Sequence, residues 1–151
     1  MLLDFISPLP PPTDNGLVRP DIVSESVRIL LVDDDPSVAS AFARMLRLEG
    51  FEVWAAPSAN EGLKLALAHH PHAILLDLRI PLAKGLKFLR MVRGLPGLSQ
   101  TPVAIVTGDY YVEDAHTQEI AALGAELRYK PLWLNELVSL ARGLVGPLVE
   151  A

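Results

Sequence analysis

The sequence predicts an α/β domain built on a doubly wound parallel sheet. Short aliphatic runs recur at Val27–Val32, Ala73–Leu76 and Pro102–Val106. A run that is apolar on both faces reads as a parallel strand covered by helices. Between the runs lie stretches with apolar residues at helical spacing, opened by capping residues and often closed by glycine. Five strands alternating in this way with five helices imply right-handed crossovers within one sheet.

Residues 1–25 stand apart, holding Pro8, Pro10, Pro11, Pro12 and Pro20, five of the 13 prolines. Proline fixes φ and removes backbone donors, so this segment is an extended arm. A frayed tail is the default for such a terminus, and its Leu2, Leu3, Phe5, Ile6 and Leu9 suit docking on the domain or a partner as the alternative. The first strand, Val27–Val32, leads to Asp35 as N-cap and Pro36 at the first helical position. Val38, Phe42, Met45 and Leu46 then form an apolar stripe, and Gly50 ends the helix. Phe51–Ala55 is the second strand. Ser58 and Glu61 match a capping box, opening a helix with Leu63, Ala66 and Leu67 on one face that stops before Pro71.

The third strand ends at Asp77, and a loop through Pro81 leads to Gly85. Leu86, Leu89, Met91 and Val92 line the next helix, which closes at Gly94–Gly97. The fourth strand ends at Thr107, and a polar helix spans roughly Val112 to Leu123. Ala125–Tyr129 is the fifth strand and Lys130–Pro131 a turn. Leu134, Leu137, Val138, Ala141 and Leu144 line the last helix. The domain is expected over 26–146, with a short tail at 147–151.

The 151 residues suffice for one ordinary domain. Half are hydrophobic and the mean hydropathy is +0.31, enough for a sizeable core. No apolar run approaches the ~20 residues of a membrane span, and the start lacks the basic region of a secretory signal. A cytoplasmic protein that does not span a membrane is expected. The absence of cysteine excludes disulfides and thiolate metal sites. A net charge of −5 and a pI near 5.3 argue against a direct nucleic-acid surface.

The chemistry gathers at the carboxyl ends of the strands, the edge where open α/β sheets place ligands. Asp33 and Asp34 follow the first strand, Asp77 ends the third, Thr107 ends the fourth and Lys130 follows the fifth. Close carboxylates repel by about 4 kcal/mol per pair at 4 Å with an effective dielectric of 20, so such a cluster needs a cation. Oxygen ligands with no His or Cys nearby favour a hard ion such as Mg²⁺. A hydroxyl and an ammonium facing the same point add donors for an anion. Together they describe a phosphoryl-transfer site with an aspartate nucleophile.

In these residues the chain resembles the receiver domain of two-component response regulators, over roughly Val27 to Val145. Leu31-Val32-Asp33-Asp34-Asp35-Pro36 is similar to the family's acidic pair, and Asp77-Leu78-Arg79-Ile80-Pro81 with Gly85 to its phosphoacceptor segment. Thr107-Gly108 and Lys130-Pro131 match its hydroxyl and lysine positions. The resemblance implies a flavodoxin-like fold with strand order 2-1-3-4-5. It implies that Asp77 accepts a phosphoryl group from a histidine kinase or histidine phosphotransfer protein. Asp34, Asp77 and the Arg79 carbonyl would ligate Mg²⁺ directly, with Asp33 acting through water. Lys130 and Thr107 would hold the phosphoryl oxygens, and Lys130–Pro131 would be cis. The protein would be a signalling switch rather than a metabolic enzyme. With only Gly-Pro-Leu-Val-Glu-Ala after Val145, it reads as a stand-alone regulator or as a piece of a longer one.

One departure concerns the readout. Members usually carry Tyr or Phe three residues before the lysine, where this chain has Leu127. Tyr129 is expected on the opposite strand face and unable to substitute. Leu127 thus favours, as an alternative, a pseudo-receiver scaffold that binds partners without phosphorylation; its other role is packing under the last helix. Tyr110, Tyr111 and Trp133 lie near the last two helices, where receivers dimerise or meet targets. They are candidates for a homodimer or downstream-protein contact, with core packing an equal account of Trp133. Arg79 and Asp109 are placed to hinder an attacking water if they pair across the cleft, against two exposed charges otherwise. His69, His70 and His72 read as a helix-end surface cluster.

Overall fold

The aliphatic runs pair into one parallel sheet of β1 (Arg28–Asp33), β2 (Glu52–Ala56), β3 (Ala73–Leu78), β4 (Val103–Thr107) and β5 (Glu126–Tyr129), ordered β2-β1-β3-β4-β5. The connecting helices are α1 (Pro36–Leu48), α2 (Ala59–His69), α3 (Leu82–Gly94), α4 (Asp114–Ala122) and α5 (Leu134–Val145). The computed structural model describes residues 26–78, 82–108 and 112–146, and the side chains of all these except Asp77, Leu78, Leu82 and Leu134. The proline-rich arm, the 147–151 tail, Arg79, Pro81, Asp109, Tyr110 and Tyr111 lie outside the described residues.

Alternate strand residues enter two different cores, as the period of a strand requires. Leu30, Val32, Ile74, Leu76 and Ile105 pack with Ala66, Leu86, Leu89 and Ile120 from α2, α3 and α4. On the other face, Ile29, Leu31, Leu75, Ala104 and Val106 meet Ala43, Leu46, Leu137 and Ala141 from α1 and α5. Each fully buried Leu or Ile contributes about 1.5–3 kcal/mol from burial, so this double-sided sheet is the main source of stability.

The helix starts are chemically specified. Asp35 Oδ1 accepts from Ser37 N at 2.9 Å and from Val38 N at 3.3 Å. Ser58 Oγ accepts from Glu61 N at 3.2 Å. The helix faces needed correction. In α1 the buried stripe is Ala39, Ala43 and Leu46, with Phe42 only half-buried. In α2 Ala66 is buried as expected, but Leu67 is exposed and Gly62 is buried in its place. The reason is close approach: a Cβ on Gly62 would stand 2.8 Å from Val32 Cγ2, so only small residues fit the contact. In α3 Phe88 is buried and Met91 is exposed. That helix begins at Leu82, which puts Gly85 inside it rather than at the end of a loop.

At the amino edge of the sheet the histidines do structural work. Arg28 N donates to His72 Nδ1 and His72 N donates to Arg28 O, both at 2.8 Å. The imidazole thereby extends the β1–β3 pairing. The Arg28 guanidinium donates to the His69 and His70 carbonyls at 3.0 and 2.9 Å, and His69 stacks on Trp54 at 4.2 Å. The expected surface cluster is thus an anchor, and no group of three or more His, Cys, Asp or Glu that could hold a metal ion occurs among the described residues.

Candidate functional site

The sheet register brings the expected residues to one edge. Asp33 is the last residue of β1 and the register partner of Asp77 in β3. Thr107 is the last residue of β4, paired with Leu78 on one side and Tyr129 on the other. Lys130 follows β5 directly, and its amide donates to the Thr107 carbonyl at 2.8 Å. The Lys130 stem lies against Gly108, where an added Cβ would sit 3.8 Å from its Cδ. The Lys130–Pro131 peptide is cis, as expected.

The two acids of β1 differ in environment. Asp33 is buried, and its Oδ1 accepts from the Asp35 amide at 2.9 Å. Asp34 is exposed. One carboxylate fixed by the backbone and one open to solvent form a donor set of oxygens only. His69, His70 and His72 sit at the opposite edge, before β3, and His116 lies in the first turn of α4. Such donors fit a hard divalent cation better than a transition metal. The side chain of Asp77 and the Arg79 carbonyl, the other expected ligands, lie outside the described residues.

Two expectations about the last strand resolve differently. Leu127 packs against the core shared by α2, α3 and α4, not under α5. Tyr129 lies on the same face as Leu127, not the opposite one expected, because alternate residues of a strand share a face. Tyr129 is 46% exposed and stands beside Thr107. Trp133, just before α5, is 65% exposed, which removes core packing as its role. Its amide donates to Glu136 Oε1 at 2.8 Å.

Arg93 is a tie that sequence reasoning overlooked. It donates to the Leu123 carbonyl at the end of α4 and to the Thr101 carbonyl before β4, each at 2.6 Å. Burial lowers the pKa of its guanidinium from the ordinary value. Arg90 and Glu119 form a bidentate pair joining α3 to α4. No spacing rule within one element announces either contact.

Comparison with known proteins agrees with this geometry. A family model described as response regulator receiver domain matches residues 29–142. The chain is 34% identical over 135 residues to the transcriptional regulatory protein PrrA of Mycobacterium tuberculosis, covering 87% of this chain and 52% of that protein. It is 32% identical over 123 residues to the response regulator MprA of the same species, covering 80% of this chain and 51% of MprA. The chain thus spans about half the length of the curated relatives it matches. Among solved structures, chemotaxis protein CheY4 of Vibrio cholerae superposes with a TM-score of 0.70 at 26% identity, over 80% of this chain and 99% of CheY4. A CheY-like receiver domain protein from Methanospirillum hungatei gives 0.72 at 25% identity, over 83% of this chain and 98% of that one. With the family model extending from β1 into α5 over the same five-stranded order, the chain belongs to the response regulator receiver domains of two-component signalling.

Proposed function

We propose that Asp77 is the phosphoacceptor of this domain, charged by the phosphohistidine of a histidine kinase or histidine phosphotransfer protein. The observation that carries this reading is the convergence of Asp33, the Asp77 backbone, Thr107 and Lys130 on one sheet edge. An Asp77 carboxylate oxygen attacks phosphorus, a P–O bond forms as the P–N bond breaks, and the donor imidazole leaves with its electron pair and a proton. Lys130 offsets the charge that develops on the phosphoryl oxygens, and the Thr107 hydroxyl donates to one of them. Asp33, Asp34, Asp77 and the Arg79 carbonyl are the proposed Mg²⁺ ligands. Bound Mg²⁺ supplies further charge neutralisation at the phosphoryl group.

The phosphorylated domain then signals through protein contacts, with Tyr110, Tyr111 and Trp133 as candidate contact residues for a downstream protein or a second copy. None of the described helices is long and apolar enough to cross a membrane, and the net charge of −5 argues against direct nucleic-acid binding. A cytoplasmic setting matches the kinase chemistry. The test is Mg²⁺-dependent, hydroxylamine-sensitive labelling by acetyl phosphate. Wild type should label and Asp77→Ala should not; labelling that persists in Asp77→Ala overturns the assignment.

A further inference from the structure

We infer that the cavity between α2 and α3 binds a small amphipathic anion, an aromatic carboxylate in chemical class. The cavity measures about 370 Å³ and opens at the same sheet edge as Asp33 and Asp34. That volume lies within the ~300–1,000 Å³ of small-molecule sites, which combine an apolar lining with a few convergent polar groups. Here Pro57, Ala59, Leu63 and Met91 provide the apolar surface over the buried Leu76 and Phe88, while Lys84 and Lys87 stand on the α3 side. The two lysines are one turn apart on α3 and so share a face. Both are exposed, and among the described residues neither has a carboxylate within ion-pair reach.

The polarity of the cavity sets the orientation of its occupant. The acids lie on the β1 side and the ammonium groups on the α3 side. A carboxylate is repelled from Asp33 and Asp34 and attracted to Lys84 and Lys87, leaving a flat apolar body against Leu63 and Met91. Met91 adds an adaptable thioether at the rim, suited to aromatic contact. Gly62 lets α2 lie close against β1, since a Cβ there would stand 2.8 Å from Val32 Cγ2. This inference does not depend on phosphorylation of Asp77.

Naphthoate is the probe. It is titrated into the metal-free full chain, while methyl resonances of Leu63 and Met91 are followed by NMR. Naphthamide and naphthylmethylammonium serve as neutral and cationic comparators. Saturable naphthoate binding that shifts both residues is expected. About tenfold weaker binding is expected for naphthamide and for the Lys84→Gln/Lys87→Gln variant, whose exposed positions leave the fold intact. The proposal is overturned by no saturation at millimolar naphthoate or by shifts confined elsewhere on the domain. Unchanged affinity in the double variant, or comparators binding as tightly as naphthoate, overturns it equally.

Discussion

Thr107 and Tyr129 are register partners across β4 and β5, side by side on one face of the sheet. Thr107 is buried while Tyr129 is 46% exposed, so this neighbour pair connects the proposed phosphoryl site to the surface. Leu127, one step back on the same face, is half-buried against the core and carries no aromatic ring. Tyr129 is therefore the aromatic placed to report a movement of Thr107. Beryllofluoride with Mg²⁺, a phosphoryl mimic, should shift the Tyr129 ring resonances in wild type. The shift should be lost in Thr107→Ala, and a shift retained there would separate the two residues.

Gly62 tests the close approach of α2 to β1. Alanine raises helix propensity by up to ~1 kcal/mol, but its Cβ would stand 2.8 Å from Val32 Cγ2. Overpacking of this kind costs about 1–3 kcal/mol, so the clash should win. Urea denaturation of Gly62→Ala should show a lower midpoint with little change in slope.

Arg93 ties the end of α4 to the segment before β4 through two carbonyls. Hydrogen bonds from charged donors contribute about 1.5–3 kcal/mol each when buried, and partial exposure here reduces that. Arg93→Met, which keeps much of the stem, should destabilise by about 1–2 kcal/mol. Hydrogen exchange should quicken first at the α4–β5 junction. Uniform quickening across the domain would contradict this local role.

The Arg90–Glu119 pair gives a pH signature. The hydrogen bond from Arg90, reinforced by its charge, holds the Glu119 carboxyl below its ordinary value of 4.5. A lowered folded-state pKa means stability that is present above the unfolded value and lost as pH falls through the folded one. Wild type should therefore melt slightly above Glu119→Gln near neutral pH. That difference should fade below pH 4.5 and shrink with added salt, since the pair is largely exposed. A difference independent of both pH and salt would rule out the ionic pairing.

Much of this fold was legible because each strand carries its own evidence. Ala73–Leu76 and Val103–Val106 are apolar on both faces, and Asp35-Pro36 and Ser58 mark helix starts by local hydrogen bonding. The edge positions of Asp33, Thr107 and Lys130 followed from strand ends alone. Helix rotation was harder to read, because periodicity locates an apolar stripe without saying which part touches the sheet. Gly62 displaced Leu67 from the contact, and Phe88 displaced Met91. The His72–Arg28 exchange and the Arg93 tie join residues far apart in sequence, 44 positions in the first case. No local pattern encodes such partners. Tyr129 was recoverable from strand periodicity, since its face follows from Leu127.

The central claim is that the sheet edge formed by Asp33, Asp77, Thr107 and Lys130 transfers a phosphoryl group to Asp77. The most direct measurement is mapping the acid by borohydride reduction after acetyl phosphate treatment with Mg²⁺, followed by peptide mass spectrometry. The account predicts that homoserine replaces aspartate at position 77 in wild type, with a much reduced yield in Lys130→Ala. Homoserine at another acid, or an undiminished yield without Lys130, would contradict it.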